Sequence, residues 1–410
     1  MGNWYKYLII ILLLFQVKGC RFDSEDKTSS ESIEKLHILP ASKIYKNLET
    51  KRIQNKSRKI DSVFKRLEKL TGFNGVVLYA ENGRLIYEKA FGFADPVKRR
   101  DSLTINSQFE LASVSKMFTA TAIMILKEAG KIEYDTDIKK YIPELPYDGI
   151  TVRQLLTHRS GLPRYESLAD EHWPDKHIPL TNRGMIQLFE LYKPKVYFKP
   201  NGGFHYCNTN YAMLCSIVER VSKMDFDEFV KKRIFTPAHM NHSFIYRSPN
   251  DSVVKGYMEV GVQGYDQRGR RLIKVPKDYL NGVMGDKIMY STVGDLYRFE
   301  VALNNGILVS NETLQEAYSP GSPNHRRRRD NYGFGWRIRM ESDSAVYHYG
   351  WWKGFRSFFL RDLKEQKTLI VLTNKSKGSG SEHFWEIIND NSIRFSPASV
   401  NPRVELNRKE

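Results

Sequence analysis

The sequence predicts an α+β fold in which one sheet is closed by both ends of the chain and helices are inserted between them. Three observations carry this. Near the front, "GVVLYAENGRLIYEKAFG" sets two alternating apolar runs around Asn82-Gly83, a dipeptide suited to a tight hairpin turn. At the back stand three strand-like runs, "YGFGWRIRM", "FRSFFL" and "TLIVLTN". Between them, from about Glu133 to Ser243, the pattern is mostly helical with loops.

Taken in order, residues 1–19 read as a signal peptide, in which Lys6 precedes an apolar run from Tyr7 to Phe15 that is too short to span a bilayer. Gly19-Cys20 closes that run in the manner of a bacterial lipobox, which implies cleavage before Cys20 and a lipid on its thiol; an uncleaved signal anchor or ordinary secretion are the alternatives. Residues 20–56 are polar and charged and read as the lipidated cysteine and a tether. The body is expected over 57–395, opening with a helix from about Ser57 to Leu70, and 396–410 is a polar tail. A greasy helix follows the hairpin, since from Met117 to Leu126 the only polar side chains are two threonines. Asp251 to Val283 is Gly-rich and irregular, a capped helix runs from Ser291 or Thr292 to Gly306, and an amphipathic helix lies around His383 to Ile388.

With 410 residues, 41% hydrophobic and 12% aromatic, the chain can bury a core. Its formal charge of +17 is read as a basic surface. Without zinc-finger spacing, an RNP-like box or a basic heptad helix, no nucleic-acid partner is expected. The run His325 to Arg329 is a solvated loop or faces an anionic lipid or substrate. Cys207 and Cys215 are read as two small buried residues. No histidines stand at metal-ligand spacing such as H-E-x-x-H, so neither metal nor cofactor is expected.

The chemistry begins at "FELASVSKMF". S-x-x-K occurs at Ser24, Ser32, Ser62, Ser113 and Ser252, and only the Ser113 copy opens a buried-looking helix directly after a hairpin. Residues three apart share a helix face, so Lys116 Nζ can reach Ser113 Oγ. A lysine desolvated among apolar side chains has a depressed pKa and can act as a base, while a helix amino terminus favours developing negative charge. "GGFHYCNTNYAMLC" places Tyr206 and Asn208 before another helix; Y-x-N also occurs at Tyr45 and Tyr279. A tyrosine is a poor base at its reference pKa near 10, but a neighbouring cationic lysine can lower that. Further on, His348-Tyr349-Gly350 is the H-x-G of "YHYGWWKGF". The specific feature is the order S-x-x-K, Y-x-N, H-x-G along one chain.

With these motifs, and with "ITVRQLLTHRSGLP" and "GDKIMYSTVGDLYRF", the sequence resembles the serine β-lactamase-like superfamily: class C β-lactamases, D,D-peptidases and other penicillin-binding proteins, family VIII esterases and D-aminopeptidases. The resemblance runs from about Ser57 to about Ser392. It implies a β-lactamase/transpeptidase-like fold, an antiparallel sheet flanked by helices with a mostly helical subdomain and a cleft between. It implies Ser113 as acylated nucleophile, Lys116 as its base, Tyr206 as partner base and acid, and Asn208 as a substrate-orienting group. His348 would stand where lactamases carry the lysine of K-T-G, and Gly350 and Trp351 would line the substrate, with the backbone N–H groups of Ser113 and Trp351 forming an oxyanion hole. Tyr349, and the bulk of Trp351-Trp352, depart from the lactamase pattern. His158 is read as a loop-fixing hydrogen-bonder, and Tyr165, Trp173 and Tyr257 as packed residues.

The expectation is therefore a serine hydrolase of the bacterial cell envelope, lipid-anchored on a membrane, acting on a small ester, amide or cell-wall peptide. A β-lactamase or D,D-carboxypeptidase is one alternative. A non-catalytic penicillin-binding-protein-like receptor or scaffold is the other.

Overall fold

The computed structural model describes residues 51–247, 261–323, 330–341, 344–378 and 381–391. The signal peptide, Cys20, the tether to residue 50, Tyr257, the run His325 to Arg329 and the tail lie outside them.

Helix α1 (Lys51–Thr71) leads into the hairpin β1 (Gly75–Glu81) and β2 (Arg84–Phe91), whose turn residues Asn82 and Gly83 both have positive φ, as Asn-Gly permits. Short strands β3 (Phe93–Asp95), β4 (Arg100–Ser102) and β5 (Phe109–Glu110) precede α2 (Ser115–Glu128). The helical part holds α3 (Val152–Leu156), α4 (Tyr165–His172), α5 (Asn182–Tyr192), α6 (Asn208–Ser222) and α7 (Phe226–Val230). Strands β6 (Phe244–Ile245), β7 (Tyr265–Arg268), β8 (Arg271–Lys274) and β9 (Met289–Ser291) follow, then α8 (Val293–Asn304) and α9 (Asn311–Ala317). The chain closes with β10 (Asp330–Tyr332), β11 (Arg337–Arg339), β12 (Ala345–Trp352), β13 (Phe355–Asp362), β14 (Lys367–Thr373) and α10 (Glu382–Asn389).

The main sheet has the order β10-β11-β12-β13-β14-β1-β2 and is antiparallel throughout. The two ends of the chain meet where β1 pairs with β14, from Gly75 opposite Thr373 to Glu81 opposite Lys367. Successive side chains of a strand leave on opposite faces, so each buried strand feeds two cores. Val76, Leu78, Phe359, Ile370 and Leu372 join the large core with α2, α6 and α8. Val77, Tyr79, Leu369 and Val371 pack under α1 and α10 with Phe64 and Phe384.

Helix α1 begins at Lys51, earlier than Ser57. Its buried stripe, Ile53, Ile60, Phe64 and Leu67, starts inside the charged stretch and is held by contacts distant in sequence. The ammonium of Lys56, itself buried, donates to the Asp390 carbonyl oxygen at 2.6 Å just past α10. Part of the stretch read as irregular is the hairpin β7-β8, turning at Gly269 with φ +58°. Thr292 caps α8, accepting from the Asp295 amide.

Candidate active site

The site is built where β5 runs into α2. Leu111 N–H donates to Met289 O at 2.7 Å, and Phe109 and Glu110 pair with Ser291 and Tyr290, so β9 clamps the approach. Ala112 then takes a left-handed φ of +48°, a conformation that costs energy for a residue with a Cβ and turns the chain sharply into one 3-10 turn, Ala112–Val114. Ser113 stands on that turn at the mouth of α2.

Lys116 has no solvent exposure. Its three ammonium hydrogens have three acceptors: Ser113 Oγ at 3.0 Å, Asn208 Oδ1 at 2.8 Å and Asp286 O at 2.8 Å. Burial pushes its pKa down to about 8, against the opposing pull of the Asp286 and Glu166 carboxylates. Near neutral pH such a lysine can both hold and lose a proton.

Asn208 is the first residue of α6 and sits between Lys116 and Glu166. Its Oδ1 takes the Lys116 hydrogen bond and its Nδ2 donates to Glu166 Oε1 at 2.6 Å. Because a lysine only donates and a carboxylate only accepts, the amide can stand in one orientation alone.

Tyr206 is brought beside the pair, its ring centroid 5.1 Å from Lys116 Nζ. Its hydroxyl is buried without a regular hydrogen-bond partner. Burial raises its pKa; Ser113 and Arg337 oppose that rise without overcoming it. The expectation that a neighbouring lysine can lower the Tyr206 pKa is thus corrected, since loss of hydration outweighs the Arg337 cation and the Ser113 contact, and the phenol is neutral. His158 fixes this loop, as read: its Nδ1 accepts from Cys207 N–H at 3.2 Å, and its ring lies 4.4 Å from that of Tyr206. Cys207 and Cys215 are both buried. Tyr165 is wholly buried and donates to Asp286 Oδ2 at 3.1 Å, while Lys287 pairs with the same carboxylate at 3.0 Å. Trp173 packs against the large core and donates from Nε1 to Ile178 O.

Strand β12 forms the opposite wall. A Cβ placed on Gly350 would meet Leu111 O at 2.3 Å, Ser357 Oγ at 2.4 Å and the Ser113 amide nitrogen at 2.9 Å. The absence of a side chain at Gly350 therefore lets this strand lie against the backbone of Ser113. Beyond Tyr347, opposite Arg337, β12 has no partner from β11, so His348 to Trp352 offer a free edge to an extended ligand.

His348 lies on the inner face, unexposed, and does not replace the charge of the lysine whose place the resemblance gives it. With Nδ1 donating to Tyr349 O at 2.8 Å, Nε2 accepts from the Tyr332 hydroxyl at 2.9 Å. Burial first, then Arg337 and Lys116, holds its pKa well below the ordinary histidine value. It is a neutral ring with both nitrogens engaged. Trp351 is 61% exposed and points to the other face with Tyr349, so only its backbone can serve the site. Trp352 is the tryptophan on the inner face, its Nε1 buried without a hydrogen-bond partner and its ring 5.0 Å from Lys287 Nζ.

Sequence reasoning missed Arg337, Glu166 and Asp286. The guanidinium of Arg337 lies 5.1 Å from the Tyr206 ring centroid and 4.5 Å from that of Tyr349, and its Nε is buried with no acceptor. It supplies the fixed cation that His348 does not. Its signal in the sequence was one basic residue in a strand, indistinguishable from Arg339, which covers Trp385.

The chain as a whole is similar to known proteins. A family model described as Beta-lactamase matches residues 60–389. Penicillin-binding protein 4* of Bacillus subtilis (strain 168) is 36% identical over 344 residues, covering 80% of this chain and 74% of that protein. Among solved structures, a penicillin binding protein from Bacillus halodurans superposes with a TM-score of 0.66 at 24% identity, over 79% of this chain and 96% of that one. A D-amino acid amidase from Ochrobactrum anthropi SV3, complexed with L-phenylalanine amide, superposes with a TM-score of 0.61 at 24% identity, over 79% and 90%. The last two are likenesses of fold.

Proposed function

The chain belongs to the Beta-lactamase family, and within that family we propose that it is a serine hydrolase that forms an acyl-enzyme on Ser113 and releases it to water. The observation that carries this is the single hydrogen bond from Lys116 Nζ to Ser113 Oγ, made by a lysine whose burial brings its pKa to about 8. Neutral Lys116 takes the hydroxyl proton as Oγ attacks the carbonyl carbon. The oxyanion is held by the backbone N–H groups of Ser113 and Trp351. The neutral Tyr206 phenol gives its proton to the leaving group and regains one from Lys116. Water then attacks the ester, passing its proton back along the same route, and the acid leaves from Ser113 Oγ. Asn208 and the free edge of β12 orient the substrate, which is a small ester, an amide or a cell-wall-type peptide; amides are favoured by analogy with the amidase likeness.

A second reading, D,D-carboxypeptidase or β-lactamase, is favoured by Arg337, whose unpartnered Nε suits a substrate carboxylate. We further propose that a lipid on Cys20 holds the protein at a bacterial envelope membrane. The basis is the apolar run ending in Gly19-Cys20, and among the described residues no helix is long and apolar enough to cross a membrane. Loss of membrane association in Cys20→Ala is the expected outcome of a fractionation experiment.

The test of the catalytic reading is intact-mass spectrometry after exposure to a fluorophosphonate and, separately, to penicillin, with Ser113→Ala as control. A fluorophosphonate adduct absent from the control is expected. A penicilloyl adduct would favour cell-wall chemistry, and no adduct with either would favour the non-catalytic receptor.

A further inference from the structure

The four residues Gly285 to Ile288, just before β9, hold a buried ion pair against Lys116. Two side chains one turn apart on α2 fix the backbone of this segment: Thr119 Oγ1 donates to Gly285 O at 2.6 Å, and Lys116 Nζ donates to Asp286 O at 2.8 Å. Gly285 has a φ of +96°, and a Cβ there would stand 2.5 Å from Tyr211 O on α6. Ile288, wholly buried, has a φ of +66°. A β-branched residue keeps that conformation only where its surroundings impose it, and such strain gathers where placement matters.

What the segment places is a charge. Asp286 has no solvent exposure and Lys287 is 3% exposed. Lys287 Nζ donates to Asp286 Oδ2 at 3.0 Å and to Oδ1 at 3.3 Å, and it also donates to the Tyr165 hydroxyl, which itself donates to Oδ2 at 3.1 Å. Burial pushes the Asp286 pKa up, and Lys287 first, then Lys116, oppose that rise. The Asp286 carboxylate is in turn first among the charges acting on Lys116. It holds the ammonium proton together with Glu166 and Cys207, while Arg337 acts the other way. The remaining titratable neighbours add no charge near pH 7, since burial keeps the His158 and His348 rings and the Tyr206 and Tyr211 phenols neutral. Glu110 on β5, pushed up to about 7 by burial, feels Lys287 and Asp286 with opposite signs.

We propose that Asp286 and Lys287 are positioning residues for the serine-lysine chemistry: Lys287 holds the Asp286 carboxylate ionised, and that carboxylate, with the Asp286 carbonyl, holds Lys116 and its proton beside Ser113. This rests on Ser113 being the nucleophile and Lys116 its base, as proposed above.

The experiment follows the rate of fluorophosphonate labelling of Ser113 from about pH 6 to about pH 10. In the wild type the rate should climb with a midpoint at about 8. Asp286→Asn combined with Lys287→Met removes both charges at once, and a fold tolerates exchange of a whole buried pair for uncharged residues of similar volume better than loss of one partner. The midpoint should then fall by about one pH unit, because the anion that most strongly holds the Lys116 proton is gone. A role confined to the fold would slow labelling at every pH without moving the midpoint, so an unmoved or raised midpoint would overturn the proposal. Should the double variant fail to fold, the wild type still decides through carbon NMR of the Asp286 carboxyl. Its resonance should be that of an ionised group at pH 7 and should shift with the same midpoint as Lys116 loses its proton. A protonated carboxyl, or a resonance blind to that midpoint, would overturn the pair while leaving the nucleophile intact. Absence of any labelling of wild-type Ser113 would instead bring down the hydrolase reading, and this proposal with it.

Discussion

Lys116 Nζ stands 3.0 Å from Ser113 Oγ at a position with no solvent exposure, and burial brings its pKa to about 8. The same desolvation that makes the lysine a base also makes its charged form a burden on the fold, and both effects are measurable.

The rate of Ser113 acylation by a neutral activated ester should rise with pH through about 8 and then level, because the neutral amine is the competent form. Stability should change in the same direction. In the unfolded chain the lysine titrates near 10.4, so between about 8 and that value the unfolded state binds more protons, and stability rises with pH across this window. Lys116→Met should lower the acylation rate by at least about 100-fold and remove this alkaline gain in thermal stability. A stopped-flow acylation profile and a melting series would test both.

Buried neutral histidines give the opposite end of the pH range a sign as well. His158 and His348 are held far below their ordinary pKa, chiefly by burial. Above pH 6.5 both are neutral folded or unfolded; as pH falls below 6.5 the unfolded state takes up protons that the folded state refuses, and stability is lost. The melting temperature should therefore fall on acidification from pH 7 to 5, and less steeply in His348→Gln, measured by calorimetry. An unchanged slope would show that His348 is not the neutral ring described.

Gly350→Ala should cost about 1–3 kcal/mol and slow acylation of Ser113. The added Cβ would stand 2.3 Å from Leu111 O and 2.9 Å from the Ser113 amide nitrogen, and backbone on both sides cannot move aside without displacing the nucleophile. Denaturant unfolding and fluorophosphonate labelling rates together would test this, and a variant with full stability and full labelling would contradict it.

Arg337→Gln should weaken reaction with anionic acyl donors about 10-fold or more while changing that with neutral esters much less, since it removes a fixed cation beside Tyr206. The ratio of kcat/KM for a carboxylate-bearing ester to that for its amide analogue is the quantity to follow.

Some of the molecule was legible because local patterns report local geometry. The Asn82-Gly83 hairpin, the Thr292 cap and the greasy helix behind Ser113 are statements about residues within one or two turns of each other, and the structure contains them. Lys51 as the start of α1 was not legible. The stripe holding that end is stabilised against α10, over three hundred residues away, and Lys56 there looks like any solvated lysine until its partner Asp390 is in place.

The sequence by itself determined the sheet closed by both chain ends and the order of the three motifs, because alternation, turn dipeptides and i to i+3 spacing act through the covalent chain. Only the tertiary structure decided what those motifs can do. It put Asn208 between Lys116 and Glu166, turned the Trp351 side chain away, left His348 without charge and set Arg337 beside Tyr206. The reason is physical: protonation and charge depend on burial and on neighbours through space, and a one-dimensional pattern specifies neither until the chain has folded.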